Sequence, residues 1–402
     1  MQAVKGAVVS KNTTENQEFT ELLNNVHAIG KETIARYAAE VDEDARFPHE
    51  SFEAIKSLKL MSAYVPTQYG GMGLNVEQIS TICEILGHYC GSTAMIFAMH
   101  KIQVACIVHH CMEVEYFKTY VSKLVSEQRL IASATTEIGT GGDLLSSFCA
   151  VEASDGHFEI TKKAPVISYG EAADDLMLTA RRNSDAPKSD QVGILLSKDQ
   201  YNLEPISGWD TLGFRGTCSA GFEVTAKGSI EQINPVPFTD ILSQTMHPYA
   251  HITWASLWSG ICADAVNNAR VFVKNAVRKN PNLPPISSIR LGELDCVLNS
   301  MRSNITVAIE HYSEMLEIGD KDAFTNFGFS IRINNLKINS SQFFIDIVGK
   351  AMLICGISSY RNDSDLSLCR HIRDAYGASL MVNNDRIMMH NSTLLLMHKD
   401  GQ

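Results

Sequence analysis

Apolar residues recur at three- and four-residue steps through most of the chain, a spacing that predicts helices. The period runs through "EFTELLNNVHAIGKETIARYAAEVDEDARF" and "PHESFEAIKSLKL", breaks at Pro66 and the glycines of "PTQYGGMGLN", and returns from "VEQISTICEILGHYC" to "VEYFKTYVSKLVSEQ". Near residue 130 it gives way to short β-prone runs. "FCAVEASDGHFEITKKAPVIS" sets Asp155-Gly156 between two of them, a strong hairpin signal. "DDLMLTARR", "QVGILLSK", "YNLEPI" and "AGFEVTAKGSIEQI" continue as strands, with "DAPKSD" as a loop tip.

From about residue 245 the helical period resumes in "ITWASLWSGICADAVNNARVFVKNAV", "IRLGELDCVLNSMRSNITVAIEHYSEML" and "FGFSIRINNLKINSSQFFIDIVGKAMLIC". The Pro-rich "RKNPNLPP" joins the first two. A fourth long helix is predicted over residues 373–399, "RDAYGASLMVNNDRIMMHNSTLLLMHK". Its periodic apolar residues enclose Asn383, Asn384, Asp385, Arg386 and His390, which either face solvent or line a site. The pattern as a whole predicts an α+β multidomain fold. It has a flexible tail (1–16), a helical domain (17–129), a central antiparallel β domain (130–240) and a C-terminal four-helix bundle (241–402).

Composition narrows the function classes. The chain has 402 residues, 45% of them hydrophobic and 20% charged, as in ordinary globular proteins. A formal net charge of −11 with no basic run argues against nucleic acid as a partner. The apolar runs read as too short for a bilayer, and "MQAVKGAVVSKNTTENQEF" reads as a polar tail and not a signal segment, so a cytoplasmic location is expected. Ten cysteines stand singly with no C-x-x-C, which predicts reduced, buried thiols. Adjacent residues diverge on a helix, so "HHC" at 109–111 is not expected to hold a metal.

"ASATTEIGTGGDLLSS" at 132–147 is a Gly-rich turn leaving a strand. It lacks the βαβ context of a dinucleotide site, and the chain carries no Walker lysine, G-x-S-x-G or H-E-x-x-H. Such a turn lets backbone amides approach a flat ring or a phosphate.

Within that turn "TTEIGTGGD" resembles the T-E-P-G-x-G-S-D segment of the acyl-CoA dehydrogenase superfamily. "KKAPVISYGEAADDLMLTAR" resembles its K-x-W-I-T-N-G stretch, "WDTLGFRGTCS" its G-x-R-G-[ST] turn, and "HIRDA" its R-D-A. These occur in the family's order over roughly residues 17–398. The resemblance implies FAD held between the β domain and the C-terminal bundle, in a homodimer or homotetramer. Carried over by position, Thr135, Thr136 and Gly141 face the flavin, Gly142 belongs to the same cofactor-binding loop, and Ser168 offers a hydroxyl to the flavin's N5/O4 edge. Arg278 corresponds to an arginine that reaches the FAD pyrophosphate of a neighbouring subunit, and Gly356 to the Q-x-x-G-G segment. The chain departs from the pattern at Gly142 for serine, Val166 for tryptophan, Leu353 for glutamine and Asn280-Pro281 after the R-K.

The family's catalytic glutamate stands nine residues past the arginine of R-D-A, where this chain has Val382. Members that place the base on the first helix of the bundle correspond to Ala250 and His251 here. Replacement bases are Asp385, one helical turn past Val382, and the histidines His251 and His390. Asn384, with Asn383, is a hydrogen-bond donor for a thioester carbonyl. His100 in "FAMHKIQ" falls where the family's flavin monooxygenases often carry a histidine near flavin C4a.

Three functions follow from the resemblance. The first is α,β-dehydrogenation or oxidation of an acyl thioester, on CoA or a carrier protein, with an unconventional base. The second is flavin-dependent monooxygenation. The third is flavin or thioester binding without turnover. Electrons would pass to an acceptor flavoprotein or to O₂.

Overall fold

After the glycine-rich break, Asn75 Oδ1 accepts from Gln78 N (2.9 Å) and Gln78 Oε1 accepts from Asn75 N (3.0 Å). This reciprocal cap starts the next helix. The structure, a computed structural model, describes residues 2–281 and 286–397, with side chains from Asn16 onward. The helical domain comprises α1 (Gln2–Ile29), a π-helical turn Gly30–Ile34, α2 (Ala35–Glu43), α3 (His49–Ser57), α4 (Val76–Tyr89), α5 (Gly91–His110) and α6 (Glu115–Glu127). Helix α1 begins at Gln2, so most of the segment expected as a tail is helical; no proline interrupts "QAVKGAVVSKNTTENQ".

Helix α5 is apolar on every side because it is the core of this domain. Two segments, Gly91–His110 and Phe327–Ser359, are long and apolar enough by length and composition to cross a membrane, which corrects the expectation that no run reaches that length. The most apolar window of the first is 89% buried inside the protein and that of the second 44%.

Among the described residues seven strands form two sheets: β1 (Ile131–Ala134), β2 (Glu152–Ser154), β3 (His157–Ala164), β4 (Asp175–Arg181), β5 (Gln191–Ser197), β6 (Tyr201–Ser207) and β7 (Gly221–Ser229). Their orders are β1-β4-β5 and β2-β3-β7-β6. All pairs are antiparallel except β1 with β4, which the chain joins in parallel after passing through the β2–β3 hairpin. Asp155 and Gly156 at the hairpin tip have φ of 51° and 79°, as a two-residue type I′ turn requires.

The C-terminal bundle follows: α7 (Phe238–Ile241), a π-helical turn Leu242–Met246, α8 (His247–Lys279), α9 (Ser287–Ile318), α10 (Phe327–Cys355), α11 (Cys369–Leu380) and α12 (Asn384–Met397). Residues 282–285 of the Pro-rich joint and residues 398–402 lie outside the described residues. The single helix expected over 373–399 is two. Asn383 Oδ1 accepts from Asp385 N (2.9 Å) and Arg386 N (3.2 Å), so the asparagine caps a new helix, and Val382 before it takes a left-handed φ of 44°. All ten cysteines are free, and no cluster able to hold a metal occurs among the described residues.

Candidate active site

A cavity of about 630 Å³ opens where the three parts meet. Helix α5 supplies Met95, Met99 and Gln103, and the β domain supplies Thr135, Thr136, Val166 and Ser168. Helix α8 supplies His247, Ala250, His251 and Trp254, and the C-terminal segment supplies Arg373, Tyr376 and Val382.

Two motifs far apart in sequence close one end of it. Both terminal nitrogens of Arg373 donate to the Asp42 carboxylate on α2, and Nη1 also donates to Leu212 O (2.9 Å). Asp374 Oδ1 accepts from Phe214 N (2.6 Å). Burial raises the pKa of Asp374 to about 6, against the favourable bond to Phe214. Gly213 is packed against the Arg373 carbonyl so closely that a Cβ would collide with it. "GFRG" and "HIRDA" are thus the two halves of one clasp.

The β-domain wall carries hydroxyls. Ser168 Oγ bonds Ser219 Oγ (2.8 Å), Ser219 Oγ bonds Thr217 Oγ1 (2.8 Å), and Thr217 Oγ1 reaches Phe214 O (2.8 Å). Ser168 ends this chain at the cavity. Thr136 Oγ1 donates to Val166 O (3.3 Å). The glycine loop behind is held by buried Glu137, whose carboxylate accepts from Ser147 Oγ (2.6 Å), Cys149 N (2.8 Å) and Phe148 N (3.0 Å). Thr135, Thr136 and Ser168 fit the polar edge of a flat heteroaromatic ring. Gly141 and Gly142 do not line the cavity. They take φ of 64° and 82°, and Arg386 donates to Gly141 O with its guanidinium in the space a Gly142 side chain would need. Arg278 is exposed near the end of α8, and Gly356 follows α10 with φ 60°, both away from the cavity.

Val382, Ala250 and His251 all line the cavity, so the places where the family sets its base are here. No aspartate or glutamate is among the lining residues. Asp385 and His390 are exposed and lie outside it, because α12 turns those positions outward. Asn384 also lies outside, half-buried, accepting from Lys337 Nζ (2.7 Å) and donating to Ser341 Oγ (3.0 Å). His100 is fully buried and absent from the wall. Its Nε2 bonds Met61 O (2.8 Å) and its Nδ1 accepts from Ile131 N (3.1 Å), so one nitrogen ties α5 to the turn at Leu60–Ser62 and the other to β1. Burial pushes its pKa well down.

His251 does line the cavity. Its Nδ1 lies 3.2 Å from Ile333 O; a carbonyl only accepts, so Nδ1 carries the proton and Nε2 keeps its lone pair. One turn earlier, His247 Nε2 donates to Asn334 Oδ1 (2.8 Å). Asn334 Nδ2 donates to Asn391 Oδ1 (2.7 Å), and Asn391 Nδ2 to Asn335 Oδ1 (3.0 Å). The two imidazoles meet edge to face with centroids 4.5 Å apart. Burial pushes His247 down to about 4 and His251 well below the ordinary range, so both are neutral at pH 7. His247, Asn334, Asn391 and Gln103 were not anticipated from sequence; the i, i+4 pair in "HPYAH" is the signal that would have found His247.

Residues 16–128 match the model of the acyl-CoA dehydrogenase N-terminal domain. The chain is 28% identical over 212 residues to the mitochondrial isovaleryl-CoA dehydrogenase of Oryza sativa subsp. japonica, a match spanning 52% of this chain and 51% of that protein. It is 23% identical over 383 residues to the cyclohex-1-ene-1-carbonyl-CoA dehydrogenase of Geobacter metallireducens, covering 94% and 97% of the two chains. Among solved structures, butyryl-CoA dehydrogenase from Megasphaera elsdenii superposes with a TM-score of 0.80 at 19% identity, and FMN-bound TdsC from Paenibacillus sp. A11-2 with 0.80 at 17%. Each of these covers 94% of this chain and 98% of the other. Residues 16–128 therefore form an acyl-CoA dehydrogenase N-terminal domain, within a chain that has the acyl-CoA dehydrogenase fold.

Proposed function

We propose that the cavity oxidises an acyl thioester at Cα–Cβ, with FAD against Thr135, Thr136 and Ser168 and with His251 in the place of the usual carboxylate. The observation that carries this is the lone-pair Nε2 of His251 on the α8 wall, beside Ala250, with its other nitrogen tied to Ile333 O. A bound flavin would supply the hydride acceptor. The protein's own parts would then hold the acyl chain between Met95, Met99 and Trp254, keep water out, and receive the α-proton at Nε2. Burial keeps His251 unprotonated and so available at neutral pH. It also makes His251 a weak base, so this route requires a strongly polarised thioester carbonyl. The resemblance to CoA dehydrogenases supports the substrate class.

A second reading, flavin-dependent monooxygenation, is favoured by the absence of any carboxylate from the described wall and by the likeness to TdsC, a dibenzothiophene monooxygenase. Binding without turnover, the third, predicts flavin that substrate never reduces. Exposed Leu353, Ile357 and Tyr360 support the proposal of a homodimer or homotetramer, in which Arg278 would meet a neighbour's cofactor. A cytoplasmic location and electron transfer to a flavoprotein or O₂ belong to the same proposal.

Anaerobic mixing of the purified protein with a panel of acyl-CoA thioesters tests it. Bleaching of the visible flavin band without added reductant is the expected result. No bleaching, but substrate oxygenation after chemical reduction and admission of O₂, would replace the first reading by the second.

A further inference from the structure

His247 is harder to account for than His251. The cavity wall around it is mostly apolar, and an apolar side chain facing apolar neighbours on α10 and α12 would need no hydrogen bonds at all. Instead a run of amides, Asn334, Asn391 and Asn335, stretches from α10 to α12 and ends on one imidazole nitrogen. Buried amides such as Asn334 and Asn391 are expensive unless paired, and they fix one arrangement when they are. Here the arrangement fixed is the ring's: Nε2 carries the proton towards Asn334, which leaves Nδ1 as a hydrogen-bond acceptor. His247 lines the cavity, and its Nδ1 has no hydrogen-bond partner among the described residues. It stands four residues, one helical turn of about 5.4 Å, from His251 on the same face of α8.

We infer that His247 Nδ1 is a specificity determinant that selects an acyl group bearing a neutral hydrogen-bond donor, a hydroxyl or an amide N–H, several bonds beyond the reacting carbon. This rests on the acyl-thioester reading of the cavity and names the kind of acyl group it takes. A plain hydrocarbon chain leaves Nδ1 unpaired when it displaces water, and a carboxylate end brings a second acceptor against it. No cationic side chain other than Arg373 lines the cavity, and Arg373 is already held by Asp42, so an anionic end finds no partner there.

The test is equilibrium binding to the flavin-loaded protein, read by tryptophan fluorescence, since both Trp209 and Trp254 line the cavity and the Trp254 ring lies 5.8 Å from that of His251. The probes are hexanoyl-CoA, 6-hydroxyhexanoyl-CoA and the dicarboxylic adipoyl-CoA. One hydrogen bond corresponds to roughly 2- to 12-fold in affinity. The hydroxylated probe is expected to bind tighter than hexanoyl-CoA by that factor, and adipoyl-CoA weaker than both. In His247→Phe, which keeps an aromatic ring, the preference disappears; if that variant does not fold, His247→Met takes its place. Equal or tighter binding of hexanoyl-CoA, or a preference that survives either substitution, overturns the inference. If no thioester binds, the acyl-thioester reading fails, and benzamide against acetophenone, which differ by NH₂ for CH₃, isolates the role of His247. A His247-dependent preference for benzamide upholds it, and no preference overturns it.

Discussion

His110 ends α5 with its ring buried, and its Nε2 bonds Thr245 Oγ1 (2.8 Å) in the turn that leads into α8. Burial pushes its pKa down to about 4, and His109 and Lys321 nearby push the same way. The unfolded chain holds this proton with the ordinary value of 6.5. Between those values the unfolded state binds more protons than the folded one, so stability falls as pH falls from 6.5 towards 4. Integrated from pH 7.5 to pH 5, the loss from this one histidine is about 2 kcal/mol. Asp374 works in the opposite direction. Its folded pKa of about 6 exceeds the ordinary value of 3.8, which returns about 1.4 kcal/mol over the same interval. The wild-type curve alone therefore mixes these with other histidines that desolvation pushes down, among them His100, His109, His247 and His251, and the comparison with His110→Gln isolates the share of His110. Glutamine does not titrate and can still bond Thr245. Urea unfolding of both proteins at pH 7.5 and pH 5 is expected to show the wild type losing about 2 kcal/mol more than the variant. A difference below about 0.5 kcal/mol would refute burial of a neutral imidazole at this joint.

Three further outcomes follow. Gly213→Ala should destabilise by about 1–3 kcal/mol, because its Cβ meets the Arg373 carbonyl, and thermal melts would record the loss. Asp385→Asn and His390→Ala should leave turnover of the best acyl-CoA within about twofold, while His251→Leu should lower it by at least roughly 100-fold, as removal of a general base does; steady-state kinetics decide, and a large loss in Asp385→Asn would restore it as a candidate base. Val382→Asn should stabilise by about 1 kcal/mol, since asparagine tolerates the left-handed φ of 44° that a β-branched residue does not, and an unchanged urea midpoint would contradict that strain.

The fold was legible because it rests on local periodicities: the 3.6-residue period of α8 to α10, and Asp155-Gly156 between alternating strands. The parallel β1–β4 pair was not, since nothing local distinguishes the direction of a short apolar strand such as "IASA". The break at Val382 was hidden for another reason. "VNND" fits a continuous amphipathic helix, and only the capping bonds of Asn383 choose two. At the site, motif positions placed Thr135, Thr136, Ser168 and His251 at the cavity wall. Asp385 went astray because a helical offset was counted across a chain that is not helical there, and His390 because the chemistry of imidazole says nothing of which face of α12 carries it. His100 was misplaced because sequence does not reveal that both its nitrogens are taken by backbone. His247 needed the tertiary fact that α10 and α12 present asparagines to α8.

The clasp of Arg373 and Asp374 also bears on how the molecule is made. Its anchors, Asp42 and Phe214, leave the ribosome well before the closing residues, which emerge only with the final helices. The helical domain and the β sheets can therefore fold before the residues that close the cavity have been made, and completion of the site waits on the last stretch of translation.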